Sequence, residues 1–226
     1  MIEITQLEKS YGNHRVLKHI DATFHSGNVY GIVGENGAGK TTLFRCIAGL
    51  ESYEGSIKSS HQLLKDHIGL LLTEPFFFTR ITGREYVRLL CKARNIEVKD
   101  MDRQNIFDLP LDQYASTFST GMKKKLALFA ILLQKNDIII LDEPFNGVDI
   151  QSNIVITALI KQLKSLNKTV LISSHIFSTL RDTCDEILLL REGEFVQSAG
   201  KEAFDDIESA MTISAIGNRI QVLDLD

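Results

Sequence analysis

The first part of the chain alternates between apolar and polar positions. Residues 2–5 and 20–24 repeat with a period of two, which predicts two antiparallel strands that each expose one face. Residues 29–33 are apolar throughout and predict a strand that is buried on both faces. A helix is predicted over residues 43–50, with Gly49 near its end.

The rest of the chain predicts a helical insertion followed by strands and helices in alternation. Residues from about 83 to 135 carry a helical pattern, and residues 137–144 then read DIIILDEP, a buried strand that ends in acids and a proline. A helix over 153–167 and a strand within 169–175 complete a strand–helix–strand unit, and residues 186–200 predict a hairpin that turns at Glu192 and Gly193.

These elements predict an α/β protein with a parallel-sheet core. We expect one domain over residues 1–226, with an antiparallel β subdomain and a small helical subdomain at about 76–135 inserted into the core. No internal repeat or low-complexity linker divides the sequence. The expected fold therefore has one core and two smaller subdomains.

Composition excludes several classes of protein. The 226 residues are 44% hydrophobic and 24% charged, as in ordinary globular proteins, and a net charge of -4 gives no basic field that would attract a nucleic acid. The three cysteines, Cys46, Cys91 and Cys184, have no metal-ligand spacing, so we expect reduced packing residues. The N-terminal pattern is not that of a signal peptide, and the longest apolar run, 126–133, falls short of the ~20 residues that span a bilayer.

A glycine-rich segment, GENGAGKTT, lies between the buried strand at 29–33 and the following helix. It contains Gly34-x4-Gly39-Lys40-Thr41, the pattern of a loop whose backbone N–H groups and helix N-terminus bind phosphate. Lys40 would reach the β- and γ-phosphates and the Thr41 hydroxyl would bind Mg2+. The alternative, an ordinary glycine-rich turn, requires a chance match to the motif in the correct strand–helix context.

Two carboxylates, Asp142 and Glu143, follow the strand within 137–144. The carboxyl ends of parallel strands are where ligands bind in α/β sheets, so Asp142 is expected to hold Mg2+ together with Thr41. Glu143 lies one residue nearer the γ-phosphate and could deprotonate an attacking water. The alternative is that the acids and the proline merely end a strand.

The order of motifs resembles the nucleotide-binding subunit of ATP-binding cassette (ABC) transporters over essentially the whole chain. The motifs are the phosphate loop, FSTGM at 118–122, LDEP at 141–144, GVD at 147–149 and SSH at 173–175. The resemblance implies a P-loop NTPase fold, ATP and Mg2+ as ligands, and hydrolysis of ATP. It also implies a homodimer or heterodimer of ATPase subunits bound to transmembrane permease subunits.

The resemblance also assigns residues to roles. Tyr11 looks like the aromatic residue that stacks on adenine, Asp149 like the acid that communicates across the dimer, and His175 like the histidine at the γ-phosphate, while His14, His19, His25, His61 and His67 are expected to be surface or packing residues. The catalytic set is Glu143, His175 and Lys40; the ATP-binding set is Tyr11, Gly34, Asn36, Gly37, Ala38, Gly39, Lys40, Thr41 and Thr42; the signature set, which contacts the ATP of the opposite subunit, is Ser119, Thr120, Gly121 and Met122.

Two residues depart from the family pattern. Thr73 occupies the position of a glutamine that reaches Mg2+ and water, and it is too short to copy that side chain fully, although it is a further candidate Mg2+ contact. Thr120 replaces a glycine of the signature, so its Cβ is expected to restrict the backbone and crowd the phosphate. Glu143 and His175 remain, and hydrolysis is still expected.

A partner surface is expected just after Thr73. Phe76, Phe77 and Phe78 precede Thr82 and Gly83, which we expect to form a turn, and part of this phenylalanine run is expected to line a groove for a cytoplasmic helix of a membrane subunit. Alternatively, the three rings fill the core of the helical subdomain.

The favoured function is the ATPase subunit of a transporter, on the cytoplasmic face of the membrane. Met122 and the compact helical insertion resemble those of cassettes that serve exporters. The alternative is a soluble single-cassette ATPase that acts in macromolecular or cofactor assembly and needs no membrane-docking groove.

Overall fold

A computed structural model of the protein describes the backbone of residues 1–216 and the side chains of residues 1–211. Its larger sheet has six strands in the order β5-β6-β7-β3-β8-β9. These strands are β3 (Val29–Val33), β5 (Ile68–Leu71), β6 (Ile138–Asp142), β7 (Thr169–Ser173), β8 (Glu186–Arg191) and β9 (Glu194–Gly200). The strands β5, β6, β7, β3 and β8 are parallel, and β9 pairs antiparallel at the edge through the expected turn at Glu192 and Gly193.

A second, antiparallel sheet packs on one face of the first. It contains β1 (Ile2–Tyr11), β2 (His14–Phe24) and β4 (Glu54–Ser59) in the order β2-β1-β4. The two strands expected at 2–5 and 20–24 pair as Ile2 with Phe24 and Ile4 with Ala22, and both run longer than the alternating segments. The expected antiparallel subdomain is confirmed, because the inward-facing residues of β1 bury their side chains against β3 and α1.

Six α-helices and three short 3-10 helices complete the described chain, and the α-helices are numbered here. They are α1 (Lys40–Ile47), α2 (Gly83–Lys92), α3 (Thr120–Leu133), α4 (Ile150–Ser165), α5 (Phe177–Arg181) and α6 (Phe204–Ile216). None of the helices between residues 1 and 216 is both long and apolar enough to cross a membrane.

The helical insertion is less helical than the sequence pattern predicted. Between α2 and the short 3-10 turn Ala115–Thr117, the chain follows turns and irregular backbone. The Arg84 guanidinium holds this segment, because it donates to Asp102 and Asp112, and these two carboxylates raise the pKa of Arg84. The prediction of a continuous helical pattern over 83–135 was wrong for the segment between α2 and the 3-10 turn. That segment is stabilised by long-range ion pairs and buried apolar residues, and it does not form a helix.

Thr82 and Gly83 also differ from the expectation of a turn. The Thr82 hydroxyl accepts a hydrogen bond from the Glu85 N–H, and the Glu85 carboxylate accepts one from the Thr82 N–H. This reciprocal arrangement is a capping box, which starts α2 at Gly83. The residue pair therefore begins a helix.

The central strands are buried on both faces, as their apolar sequences predicted. Ile138 and Ile140 of β6 face the antiparallel sheet and α1, whereas Ile139 and Leu141 face the helices α3 and α4. Each fully buried side chain of this size contributes roughly 1.5–3 kcal/mol relative to an exposed one. This double burial fixes the strand register, and with it the position of the acids at the end of β6.

The three cysteines are free thiols and all are buried, as expected for packing residues. Burial raises the pKa of Cys46 to about 11 and that of Cys184 to about 12, and it also raises the pKa of Cys91. The thiolate is the reactive form, so on the order of 0.1% or less of Cys46 and Cys184 is reactive at pH 8.

We therefore expect the native protein to resist thiol reagents. At pH 8 a disulfide reagent such as DTNB should label the folded chain far more slowly than a small free thiol, and it should label three thiols per chain in denaturant. Absorbance of the released thiol measures both rates. Rapid labelling of one or more cysteines in the folded chain would contradict the buried placement.

Candidate functional site

The candidate site lies where three neighbouring strands of the large sheet end. Strands β6, β7 and β3 are adjacent and parallel, so their carboxyl ends meet at one edge. The phosphate loop follows β3, Asp142 and Glu143 follow the apolar run of β6, and His175 follows β7. The fold therefore brings three of the sequence motifs together, at the edge where α/β sheets bind ligands.

The phosphate loop connects β3 to α1 through glycines that the geometry requires. Gly39 has φ 110° as the residue that caps α1, in the left-handed region that favours glycine. A Cβ on Gly34 would lie 2.2 Å from the carbonyl oxygen of Leu190, so that position has no room for a side chain. Gly37 has φ 86°, and no neighbouring atom lies within 4 Å of where a Cβ would stand, so its backbone faces open space where an anion can approach.

Lys40 folds over the loop that precedes it. Its ammonium donates to the carbonyl oxygens of Gly34 at 2.7 Å and Glu35 at 3.1 Å. Burial lowers the pKa of Lys40, and the nearby carboxylates of Glu143 and Asp142 oppose that shift. The side chain is thus held at the N-terminus of α1, where helix dipole and ammonium together favour a phosphate.

Asp142 is fully buried and accepts hydrogen bonds from hydroxyls on separate segments. Thr41 and Thr73 each donate to Oδ2 at 2.7 Å, and Ser173 donates to Oδ1 at 2.6 Å. The sequence predicted Thr41 and Asp142 as neighbours, and the structure brings them into contact. It also places the Thr73 hydroxyl on the same carboxylate oxygen.

Glu143 has an unusual backbone conformation that aims its carboxylate at His175. Its φ is 52°, in the left-handed region, and its N–H donates to the Ser173 hydroxyl at 2.9 Å. The carboxylate Oε2 lies 2.8 Å from Nδ1 of His175. The pair can therefore hold and transfer a proton at the entrance of the phosphate loop.

Two cavities adjoin at this edge. One, of about 690 Å3, is lined by Lys40, Thr41, Thr73, Asp142 and Glu143 among others, and the second, of about 580 Å3, is lined by Gly34, Ala38, Leu190, Arg191 and Met211 among others. Asn36, Gly37 and His175 line both cavities. All eight expected phosphate-loop residues line one cavity or the other: Gly34, Asn36, Gly37, Ala38, Gly39, Lys40, Thr41 and Thr42.

The polar groups at this edge fit a nucleoside triphosphate with Mg2+. Backbone N–H groups and an ammonium suit phosphate, and a carboxylate with adjacent hydroxyls supplies the oxygen ligands that Mg2+ prefers. Thr41, Asp142 and Thr73 are the residues that would hold the ion. When bound, Mg2+ neutralises phosphate charge during transfer.

The signature segment opens α3, as the resemblance implied. Ser119 caps the helix and its hydroxyl accepts from the Met122 N–H at 3.2 Å. Thr120 begins the helix and is absent from the described residues with positive φ, so the glycine it replaces is not required by backbone conformation. Gly121 is required by packing, because a Cβ there would lie 2.7 Å from the carbonyl oxygen of Gly147.

Asp149 acts within its own chain as a helix cap. Its carboxylate accepts from the Ser152 N–H at 2.8 Å, and Lys125 on α3 pairs with it at 3.1 Å. These bonds lower the pKa of Asp149, with the bonds to Ser152 the largest cause. The side chain remains largely exposed beside Gly147, next to the signature helix.

The phenylalanine run is divided between the surface and the core. Phe76 is 71% exposed and Phe78 is 55% exposed, and their rings contact each other edge to face. Phe77 is partly buried and packs on the Tyr86 ring at 4.5 Å between centroids. Two of the rings therefore form an exposed apolar patch, and the third packs against the core.

Tyr11 lies outside the linings of both cavities described above. It is exposed at the turn between β1 and β2, with the Lys9 ammonium 4.8 Å from its ring centroid. His14, which is exposed, lines the larger cavity. The sequence could have indicated this position, because His14 begins β2 three residues after Tyr11, and the start of β2 lies beside the phosphate loop.

His61 and His67 lie away from this edge. His61 and His67 stack with ring centroids 3.9 Å apart near Asp137, at the amino end of β5 and β6. Lys168 also pairs with Asp137 at 2.7 Å. This geometry agrees with surface packing, the role expected from the sequence.

Comparisons with known proteins agree with this geometry. The profile of a family described as ABC transporter matches residues 17–146. Among similar proteins, the ABC transporter ATP-binding protein NatA of Bacillus subtilis is 29% identical over 96% of each chain. The bacitracin transport ATP-binding protein BcrA of Bacillus licheniformis is 32% identical over 87% of this chain and 69% of its own. The lantibiotic transport ATP-binding protein SrtF of Streptococcus pyogenes is 29% identical over 92% of this chain and 94% of its own.

Solved structures share the fold. The ATP-binding subunit of an ABC transporter superposes with a TM-score of 0.81 at 24% identity, covering 94% of each chain. A dimeric ATP-binding cassette in a post-hydrolysis state, bound to ADP and Pi, superposes with a TM-score of 0.80 at 21% identity, covering 89% of this chain and 99% of that one. The expected P-loop NTPase fold is confirmed.

Ser173 offers a test of the hydrogen-bond network. Replacing Ser173 with Ala removes the acceptor of the Glu143 N–H and a donor to Asp142, so the free energy of unfolding should fall by about 1–3 kcal/mol. Urea denaturation measures this change. Ser178→Ala, at an exposed position in α5, is the control and should change stability by less than about 0.5 kcal/mol. Equal effects of the two substitutions would contradict the network.

Proposed function

The chain belongs to the ABC transporter family and hydrolyses ATP, and we propose that it drives export of a substrate through transmembrane permease subunits. The proposal includes one cassette domain over residues 1–226 whose helical subdomain spans about 76–135. It also places the chain on the cytoplasmic face of the membrane, held there by its partners. The observation that carries the proposal is the convergence of the phosphate loop, Asp142, Glu143 and His175 at one sheet edge.

Each residue at this edge receives a role in binding ATP. The loop N–H groups and Lys40 bind the β- and γ-phosphates, which requires Lys40 to exchange its bonds to the carbonyls of Gly34 and Glu35 for phosphate oxygens. Thr41, Asp142 and Thr73 would hold Mg2+. Tyr11, which is exposed at the turn between β1 and β2 and lies outside the two cavities, would stack on the adenine, as the family resemblance implies. The short Thr73 contacts the Asp142 carboxylate directly, where a longer glutamine would reach beyond it.

Glu143 is the proposed general base for hydrolysis. Its carboxylate accepts the proton of the attacking water while the water oxygen bonds to the γ-phosphorus, the bond from the γ-phosphorus to the bridging oxygen of the β-phosphate breaks, and ADP leaves. His175, at 2.8 Å from that carboxylate, orients it and contacts the γ-phosphate. The left-handed backbone of Glu143, held by Ser173, fixes the direction of the carboxylate before substrate binds.

A head-to-tail dimer of ATPase subunits would complete each site. Ser119, Thr120, Gly121 and Met122 form a helix N-terminus that suits the γ-phosphate of the ATP bound by the opposite subunit. Asp149 lies beside that segment with an exposed carboxylate and communicates across the interface. ATP then closes the dimer because both helix termini bind its charge only in the closed form, and hydrolysis releases it. The same arrangement serves a homodimer or a heterodimer.

The exposed pair Phe76 and Phe78 is the proposed docking surface for a cytoplasmic helix of the membrane subunit. The pair lies between Thr73, which contacts Asp142, and helix α2, which Thr82 caps. A helix pressed against these rings can therefore move the segment that carries Thr73. Export is the proposed direction, on the basis of Met122 and the compact helical subdomain.

Isolation of the partner tests the proposed function. The Glu143→Gln chain should retain ATP, so a tagged copy recovered with ATP from detergent-solubilised cells should bring down a polytopic membrane protein that mass spectrometry can identify. Recovery of a soluble assembly partner without any membrane protein would contradict transport and favour an assembly ATPase. The Lys40→Ala chain is the control that should bind ATP poorly and recover less partner.

Phe78 provides a test of the docking surface. Phe78→Ser should move the chain from the membrane pellet to the supernatant while ATP affinity stays within about twofold, because its ring is exposed and lies outside the linings of both cavities. Leu166→Ser, at another exposed apolar position at the end of α4, is the control and should stay with the membrane.

Phe77→Ser separates docking from packing. Since Phe77 packs on Tyr86, this variant should lose about 2–4 kcal/mol of unfolding free energy, whereas Phe78→Ser should lose little. Retention of Phe78→Ser on membranes, or loss of stability equal to that of Phe77→Ser, would contradict the division of the run.

A further inference from the structure

Lys124 is a buried lysine that the roles described above do not use. It lies in the second turn of α3, two residues beyond the signature segment, and only 2% of its surface is exposed. Lysine is almost never fully buried unless its ammonium is paired. Its neighbours Lys123 and Lys125 are less buried, so the run of three lysines is not a uniform solvated face.

The Lys124 ammonium binds the backbone that follows the catalytic acids. It donates to the carbonyl oxygens of Glu143 and Asn146, each at 2.8 Å. The carbonyl of Glu143 also accepts the Asn146 N–H at 3.3 Å, so the ammonium closes a turn in the chain between β6 and α4. Without Lys124, the Glu143 carbonyl would keep only the longer bond from the Asn146 N–H.

That turn contains two residues with positive φ, one of which is not a glycine. Glu143 has φ 52° and Gly147 has φ 73°. A non-glycine residue in this region persists when its surroundings hold it in place. The Ser173 hydroxyl holds the N–H of Glu143, and Lys124 holds its carbonyl, so the peptide groups on both sides of the Glu143 Cα are fixed.

The electrostatic surroundings agree with a role at the site. Burial lowers the pKa of Lys124, and the carboxylates of Glu143, Asp142 and Glu74 oppose that shift. Two of these carboxylates are the acids at the end of β6. The ammonium therefore lies close to the same two acids that line the cavity at the phosphate loop, and it binds the backbone of the turn that follows them.

The first turns of α3 are tied to the same loop at further points. Gly121 packs on the carbonyl of Gly147, and Lys125 donates to Asp149 and Ser152 at 3.1 Å each. The first turns of α3, which begins at the signature, are thus in contact with the segment from Glu143 to Asp149 at several points. In the proposed dimer, the signature and Glu143 of one chain serve different ATP molecules.

We propose that Lys124 is a positioning residue that holds Glu143 in its left-handed conformation and joins the signature helix to it. Through this link, engagement of the signature by the ATP of the opposite subunit constrains the base that acts on the chain's own ATP. The inference rests on the proposed function, since it assigns Lys124 a part in the coupling of the two sites. Lys124 contacts neither the phosphate loop nor the proposed substrate, and it acts through the Glu143 backbone.

Substitution of Lys124 tests this role. Lys124→Met keeps an unbranched apolar side chain and removes the donors, so kcat for ATP should fall by about 10- to 100-fold because the Glu143 carboxylate is misplaced. Affinity for ATP should stay within about threefold, since the phosphate loop is unchanged. Lys124→Arg, which keeps the donors, should recover part of kcat. Lys161→Met, at an exposed position on α4, is the control and should match the wild type.

Hydrogen exchange and a double mutant distinguish a local effect of Lys124 on Glu143 from a general loss of stability of the fold. Amides of residues 143–147 should exchange faster in Lys124→Met, while those of β3 should not. In the Glu143→Gln background, Lys124→Met should cause no further loss of turnover, because the residue it positions is already inactive.

The outcomes decide between the alternatives. Unchanged exchange over 143–147, unchanged kcat, or a full further loss in the Glu143→Gln background would each overturn the proposal. A wild-type chain without ATP turnover would contradict the proposed function instead, and the exchange of residues 143–147 would still decide whether Lys124 holds Glu143.

Discussion

The burial of the Asp142 carboxylate is the constraint on which the site depends. A carboxylate that is removed from water needs several donors, and here hydroxyls from the phosphate-loop helix, the segment after β5 and the end of β7 supply them. Each of these segments comes from a different part of the chain. Their positions are therefore fixed relative to one another through a single side chain.

The same network sets the geometry of the neighbouring acid. Ser173 donates to Asp142 and accepts from the Glu143 N–H, so the hydroxyl that satisfies one acid also fixes the backbone of the other. Glu143 then turns out of the strand direction and meets His175. As a result of this turn, one acid is buried among hydroxyls and the other is partly accessible beside a histidine. This difference supports distinct roles for the two acids at a nucleotide.

Much of the fold and the phosphate site could be predicted because local patterns determine them. The apolar run of β6 and the glycine-lysine motif of the loop each identify an element and its end. The segment that Arg84 holds could not be predicted, because ion pairs with Asp102 and Asp112 join residues distant in sequence. The different exposures of Phe76 and Phe77 also required tertiary structure, since a loop has no fixed periodicity. Likewise, nothing in the lysine run distinguishes Lys124 from its neighbours before α3 packs against the turn after β6.

The central claim is that Asp142 holds Mg2+ and Glu143 activates water, and paired substitutions measure this most directly. ATP affinity and steady-state turnover should be measured with and without Mg2+ for Asp142→Asn and Glu143→Gln, with Asp137→Asn at the opposite end of β6 as the control. The account predicts that Asp142→Asn loses the Mg2+ dependence of ATP affinity, whereas Glu143→Gln keeps it and loses turnover by about 100-fold or more. Turnover of Glu143→Gln within a few-fold of the wild type, or an unchanged Mg2+ dependence in Asp142→Asn, would contradict it.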